Sequence, residues 1–143
     1  MFDRRDNAFK DRSAHCFNTK YKDEEKTVEI IVNSRDFSSQ KAGDLAKFYG
    51  EAIGRLPKVM RRDVLTVWIN DGMNGFGGGN NNLLIHTKQG DDYLKNGILD
   101  ETFIHEAAHT SLDKRLYNTA KWNAAVAADG KYISDMAKNN PFG

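Results

Sequence analysis

The first clear pattern lies between positions 14 and 33. Residues 14–21 are mixed, Lys22-Asp23-Glu24-Glu25-Lys26 is a charged turn, and Thr27-Val28-Glu29-Ile30-Ile31-Val32 is rich in β-branched residues. Two extended segments around a solvated turn predict a β-hairpin. From residue 38 the period changes. Ala42, Leu45, Ala46, Tyr49, Ala52, Ile53 and Leu56 recur at three and four. That spacing predicts a helix over 38–56, with Ser38 or Ser39 as N-cap and Pro57 as its stop.

Val64-Leu65-Thr66-Val67-Trp68-Ile69 carries apolar residues on both faces and predicts a central strand. Residues 70–82 hold Gly at 72, 75, 77, 78 and 79 and are expected to form a loop. Leu83-Leu84-Ile85-His86 predicts a second short strand, and Gly90 with Asp91-Asp92 a further turn. Residues 101–116 predict the strongest helix, with Asp100 at its N-cap. Ile104, Ala108, Leu112 and Leu116 form its apolar stripe, with Phe103 and Ala107 beside it. Residues 122–128 predict another helical piece, ended at Asp129-Gly130, with Trp122 packing it on the first. The order β-β-α-β-β-α-α predicts one α+β domain over residues 1–143, built on a small mixed sheet.

Composition narrows the function classes. A chain of 143 residues supports one core. Lys and Arg total 21 against 20 Asp and Glu, a net charge of +1. That balance gives no electrostatic reason to expect a nucleic-acid or membrane-surface binder. No apolar run approaches the ~20 residues of a membrane span. The opening Met1-Phe2-Asp3-Arg4-Arg5-Asp6 is charged, so no signal peptide is expected in it. A lone Cys16 excludes an internal disulfide.

The chemistry concentrates in His105-Glu106-Ala107-Ala108-His109, an H-E-x-x-H motif. At about 100° per residue, the two imidazoles lie about 40° and one turn apart, so both can reach one metal ion. Zn²⁺ suits two neutral imidazoles and lowers the pKa of a water to ~7. Glu106 sits where a carboxylate can take that water's proton without being a ligand, then pass it to a leaving amine. His105 and His109 are therefore the candidate metal ligands and Glu106 the candidate base. A zinc enzyme needs a third protein ligand and an open position. Asp113 continues the helical series but lies ~9 Å further along the axis than the metal at 1.5 Å per residue, so its expected role is to orient His109 or to pin the helix end. Asp129, Asp135 and His86 stay open as third ligands. Phe76-Gly77-Gly78-Gly79-Asn80 lacks the Lys-Ser/Thr of a phosphate loop and precedes a strand. Its glycines would let a substrate backbone approach. His15-Cys16, Tyr117 and Tyr132 are most simply packing residues.

The run Ile104-His105-Glu106-Ala107-Ala108-His109-Thr110-Ser111-Leu112-Asp113 resembles a group of little-characterised, mostly bacterial zincin-like proteins with an H-E-A-x-H-T-S-L-D motif. Phe2-Asp3-Arg4-Arg5, Ile53-Gly54-x-Leu56-Pro57, Val67-Trp68-Ile69, Phe76-Gly77-Gly78-Gly79-Asn80, Leu83-Leu84-Ile85-His86-Thr87, Trp122-x-x-Ala125, Asp129-Gly130 and Ile133-Ser134 fit the same pattern. The resemblance spans nearly the whole chain. It implies a zincin-like metalloprotease core, a zinc cofactor, a peptide or protein substrate, a monomeric state and an extracellular location. It also implies that residues 83–86 occupy the edge strand that pairs with extended substrate. Two departures stand out. The family continues with Tyr-Ala, Asn-Pro and an acidic Arg-Glu-Asp-x-Ala-Glu stretch, whereas this chain has Met136-Ala137 and ends at Asn140-Pro141-Phe142-Gly143. In zincins similar to the anthrax lethal factor type, a Glu in such a segment is the third ligand, and a Tyr upstream steadies the oxyanion. The family also tends to carry a signal peptide ahead of Phe-Asp-Arg-Arg. The resemblance thus implies a shortened form that keeps both His and the base, loses zinc easily and hydrolyses little. The alternative is a zincin-fold binding domain without turnover.

Overall fold

The computed structural model describes residues 1–116 and 119–139, without the side chains of Lys114 and residues 131–139. A short hairpin, β1 (Phe2–Asp3) with β2 (Ala8–Phe9), precedes the main sheet. β3 (Ala14–Lys20) and β4 (Thr27–Asn33) form the expected antiparallel hairpin. α1 (Ser39–Gly54) follows, capped by the Ser38 hydroxyl, which accepts from the Lys41 amide at 3.2 Å. It ends at Gly54 with Arg55 as its C-cap, two residues before Pro57, whose ring disfavours the helical conformation at Leu56. A single turn, α2 (Lys58–Arg61), leads into β5 (Thr66–Asn70). β4, β5 and β7 (Asn82–His86) run parallel, and β6 (Gly77–Gly79) pairs antiparallel with β7. The sheet order is β3-β4-β5-β7-β6, so the domain is α+β with a mixed five-stranded sheet.

Val28, Ile30 and Val32 of β4, Val67 and Ile69 of β5, and Leu83 and Ile85 of β7 are buried against the helices. α1 contributes Ala42, Leu45, Ala46, Tyr49, Ala52 and Ile53, while α4 (Leu99–Ser111) contributes Leu99, Phe103 and Ala107. Tyr49, Phe76 and Phe103 meet edge to face or tilted, with ring centroids 5.4–6.4 Å apart. Pairs of this kind add about 0.5–1.5 kcal/mol each beyond area burial. This aromatic cluster fixes how α4 lies beneath the sheet edge.

Several expectations need correction. The loop expected over 70–82 contains β6, so the edge strand is Gly77–Gly79 and not residues 83–86, which lie inside the sheet. The expected turn at Gly90 is within a helix, α3 (Thr87–Lys95). The helix expected over 101–116 starts at Leu99, turns at Leu112 and resumes as α5 (Asp113–Leu116). Asp100 stands in its first turn rather than at the N-cap, which is Ile98. Its buried stripe is Leu99, Phe103, Ala107, Thr110 and Ser111, whereas Ile104 and Leu116 are exposed. The physical reason is rotational. On a 100° wheel Phe103, Ala107 and Ser111 lie about 140–180° from the His105–His109 direction, so burying them turns the histidines outward and leaves Ala108 and Leu112 only half-buried. α6 (Ala120–Asn139) runs past Asp129-Gly130 instead of ending there. Residues 119–130 are exposed throughout, with Trp122 at 40%. No described helix is long and apolar enough to cross a membrane.

The β1–β2 hairpin lies over the ends of β4, β5 and β7. Asn33 donates to the Asn70 side chain at 3.0 Å, and Asn70 donates to the Phe2 carbonyl at 3.2 Å. Asp3 is 1% exposed and is gripped by Arg5, whose Nη2 lies 2.6 Å from Oδ2. Arg5 also reaches Asp36 at 2.7 Å. The Arg5 guanidinium holds the Asp3 carboxyl well below its usual range, at about 2.

Candidate metal centre

The H-E-x-x-H residues share one unbroken stretch of α4. His105 Nε2 and His109 Nε2 stand 3.3 Å apart, with the rings at 86°. Two Zn–N bonds of ~2.0–2.1 Å at a tetrahedral angle require nitrogens ~3.3–3.4 Å apart. The donor set and its spacing therefore fit a zinc ion, while the geometry by itself names only a site able to hold a metal. His105, Glu106 and His109 each offer a ligand atom, all within 4.8 Å of one another.

Asp113 takes the role its position suggested. Its Oδ2 accepts from His109 Nδ1 at 2.9 Å. With the proton on Nδ1, Nε2 presents its lone pair to the shared site. The turn at Leu112 keeps Asp113 one turn beyond His109, where it touches the imidazole and not the site.

Glu106 is half-buried. Burial raises its carboxyl pKa above the usual value, against the opposing fields of His105, His109 and Arg4. A carboxylate in that condition holds a proton more readily than a free one. Its own backbone is packed hard against β6. A Cβ on Gly78 would lie 1.9 Å from the Glu106 carbonyl oxygen, so only glycine allows this strand to sit on the helix.

Two motif residues beyond His109 act as anchors that the hydropathy pattern did not single out. Thr110 is buried and its hydroxyl accepts from the Asn81 amide at 2.7 Å. Ser111 is also buried. Its hydroxyl donates to the Met60 carbonyl at 2.6 Å and accepts from the Asp63 amide at 3.3 Å. The first bond ties α4 to the β6–β7 turn, and the other two tie it to the end of α2. A Thr-Ser pair at the phase of Phe103 and Ala107 was the available signal.

The third-ligand candidates do not join the cluster among the described residues. His86 is wholly buried beside Asp3, 3.7 Å from its Oδ1, and neither ring nitrogen has a hydrogen-bond partner. Burial holds its pKa below the usual value. Asp129 is exposed on α6. The side chain of Asp135 lies outside the described residues. Tyr117 is also outside them, as is the Tyr132 side chain. His15 bonds the Phe37 carbonyl at 3.2 Å, a structural contact far from α4 in sequence.

No protein-family model matches this chain, and no curated protein or solved structure matches it.

Proposed function

We propose that this chain is a zincin-type zinc metallopeptidase, with His105 and His109 as ligands and Glu106 as the general base. The observation that carries this reading is the 3.3 Å separation of the two Nε2 atoms on one helix face, with Glu106 beside them. Zinc, when bound there, supplies a water acidic enough to be deprotonated near neutral pH.

The chain's own residues account for the remaining tasks. Asp113 orients His109 through Nδ1. Glu106 accepts the proton and delivers it to the departing amine, aided by the burial that raises its proton affinity. β6 pairs with β7 along one side, and its other side is the outer edge of the sheet. A substrate strand added there would run past α4 at Glu106, which is the geometry of β-strand addition. The edge-strand role thus passes from residues 83–86 to Gly77–Gly79.

A second reading, a zincin-fold binding domain without turnover, draws on one observation. Among the described residues, no further His, Cys or Asp joins His105, Glu106 and His109. The experiment that separates the two is peptide hydrolysis by the full chain before and after chelation, with zinc added back. Cleavage that stops with the chelator and returns with zinc supports the peptidase. Peptide binding without zinc-dependent cleavage supports the binding domain.

A further inference from the structure

Arg4 differs from Arg5 and Arg12, its neighbours in the hairpin segment, which are tied up by carboxylates. Arg5 pairs with Asp3 and Asp36, Arg12 with Asp6, Arg61 with Asp23 and Arg115 with Asp63. Arg4 makes no hydrogen bond or salt bridge among the described residues and is exposed. Its position is nevertheless fixed, because the residues on either side are the anchors of the hairpin. Asp3 is buried in the Arg5 grip, and the Phe2 carbonyl is held by Asn70.

The guanidinium is laid across the edge strand. A Cβ on Gly77 would lie 2.9 Å from Arg4 Nη2, and one on Gly75 would lie 3.8 Å from Nη1. Neighbouring strand residues face opposite sides. Gly78 therefore meets α4 at Glu106, and Gly77 meets Arg4 on the other face. Phe2, Arg4 and Phe9 of the hairpin, Trp68 of β5, Leu84 of β7 and Gly77–Gly79 of β6 line a groove of about 260 Å³ that crosses this sheet face out to the edge. Phe9 packs edge-on to Trp68 at 6.2 Å, giving the groove an apolar wall with one cation in it.

We propose that Arg4 is a specificity residue that recognises a carboxylate of the peptide strand laid along Gly77–Gly79. The inference rests on the peptide-binding reading of this edge. A strand added to β6 presents alternate side chains to the Glu106 face and to the Arg4 face. The residue opposite Gly77 places its side chain against the guanidinium. A planar guanidinium that makes no salt bridge, beside an apolar wall, selects a carboxylate, which it can grip through two parallel hydrogen bonds. The carboxylate is that of an Asp or Glu side chain, or that of the peptide's C-terminus.

The test uses the full chain carrying Glu106→Gln, so that bound peptide persists, and fluorescent peptides read by anisotropy. The peptides differ only in Asp against Asn at alternate positions, each made as the free acid and as the C-terminal amide. The expected result is about tenfold tighter binding of a carboxylate-bearing peptide, weakened by salt. Arg4→Gln abolishes that preference, Arg4→Lys keeps part of it, and Arg4→Glu reverses it toward a Lys peptide. Preference among the amides assigns the side chain, and preference for free acids alone assigns the C-terminus. Arg35→Gln, an exposed arginine elsewhere, leaves the preference unchanged. Binding that ignores the carboxylate in the parent chain, absence of binding included, overturns the proposal, as does a preference that survives Arg4→Gln in a chain with an unchanged circular dichroism spectrum. Hydrolysis by the chain with Glu106 intact is scored separately. Arg4-dependent binding without zinc-dependent cleavage refutes the peptidase and keeps Arg4, whereas cleavage blind to Arg4 does the reverse.

Discussion

The β-carbon that Gly78 lacks would stand 1.9 Å from the carbonyl oxygen of Glu106. Edge strand and motif helix are in close contact at the residue proposed as base, so the edge proposed for substrate and the face able to hold a metal meet at one point. Gly78→Ala must push them apart. The expected cost is that of overpacking, about 1–3 kcal/mol. Thermal unfolding should show a fall of several degrees, and the zinc affinity of His105 and His109 should change much less than peptide affinity. A Gly78→Ala chain with unaltered stability would show that the strand and helix are not in this contact.

Glu106→Gln keeps the side chain's size and removes its capacity to take a proton. Zinc content should be retained while peptide hydrolysis falls by ~10² or more. Activity preserved in this variant would assign the base to another residue.

Asp113→Ala removes the acceptor that fixes His109 through Nδ1. Zinc affinity should weaken by roughly 10–100-fold, as for other partners that orient a ligating histidine. Competition against a chromophoric chelator measures this directly. The secondary structure should survive, since Asp113 is exposed and bonds only at the helix surface.

Acid should unfold the protein through two buried groups at the hairpin contact. Burial holds His86 neutral in the folded state, with its pKa below the ordinary 6.5. The unfolded chain takes up a proton there first, so stability falls as pH drops below about 6.5. Asp3 adds to the loss at lower pH. Its pKa is about 2 when folded against an ordinary 3.8, so its stabilisation is complete above 3.8 and disappears on the way down to 2. Denaturant midpoints measured from pH 8 to pH 2 should fall in both windows. His86→Leu should flatten the upper window alone, and Asp3→Asn should flatten the lower one while reducing stability at neutral pH.

The parts of the fold that sequence reading found are those with a period. The 27–32 run and the 42–53 stripe place strongly β-forming or helical residues at consistent spacing, and β4 and α1 follow them. Three glycines carry no side-chain pattern, so β6 left no trace in hydropathy. Its existence depends on α4 approaching closely enough to exclude a Cβ at position 78. α3 was hidden by Gly90 and two aspartates, which usually mark turns. Here the Thr87 hydroxyl donates to Asp71 at 3.1 Å at the start of that helix. The helix of the motif was legible, but its rotation was not. Ile104 and Phe103 are adjacent, and either could have led the buried stripe. Requiring His105 and His109 to face outward would have settled the choice for Phe103. Of the site, spacing revealed His105, Glu106, His109 and the part played by Asp113. The placement of Arg4 against β6 could not be read, because it lies about a hundred residues before the motif and reaches the strand only through a hairpin anchored by Asp3 and Arg5.

The most direct measurement is zinc binding to the purified full chain, by competition with a chromophoric chelator, alongside Glu106→Gln, His105→Ala and His109→Ala. The account predicts one zinc ion per chain for the parent and for Glu106→Gln, with binding lost in each histidine variant. Failure of the parent to take up zinc, or full retention of zinc by either histidine variant, would contradict it.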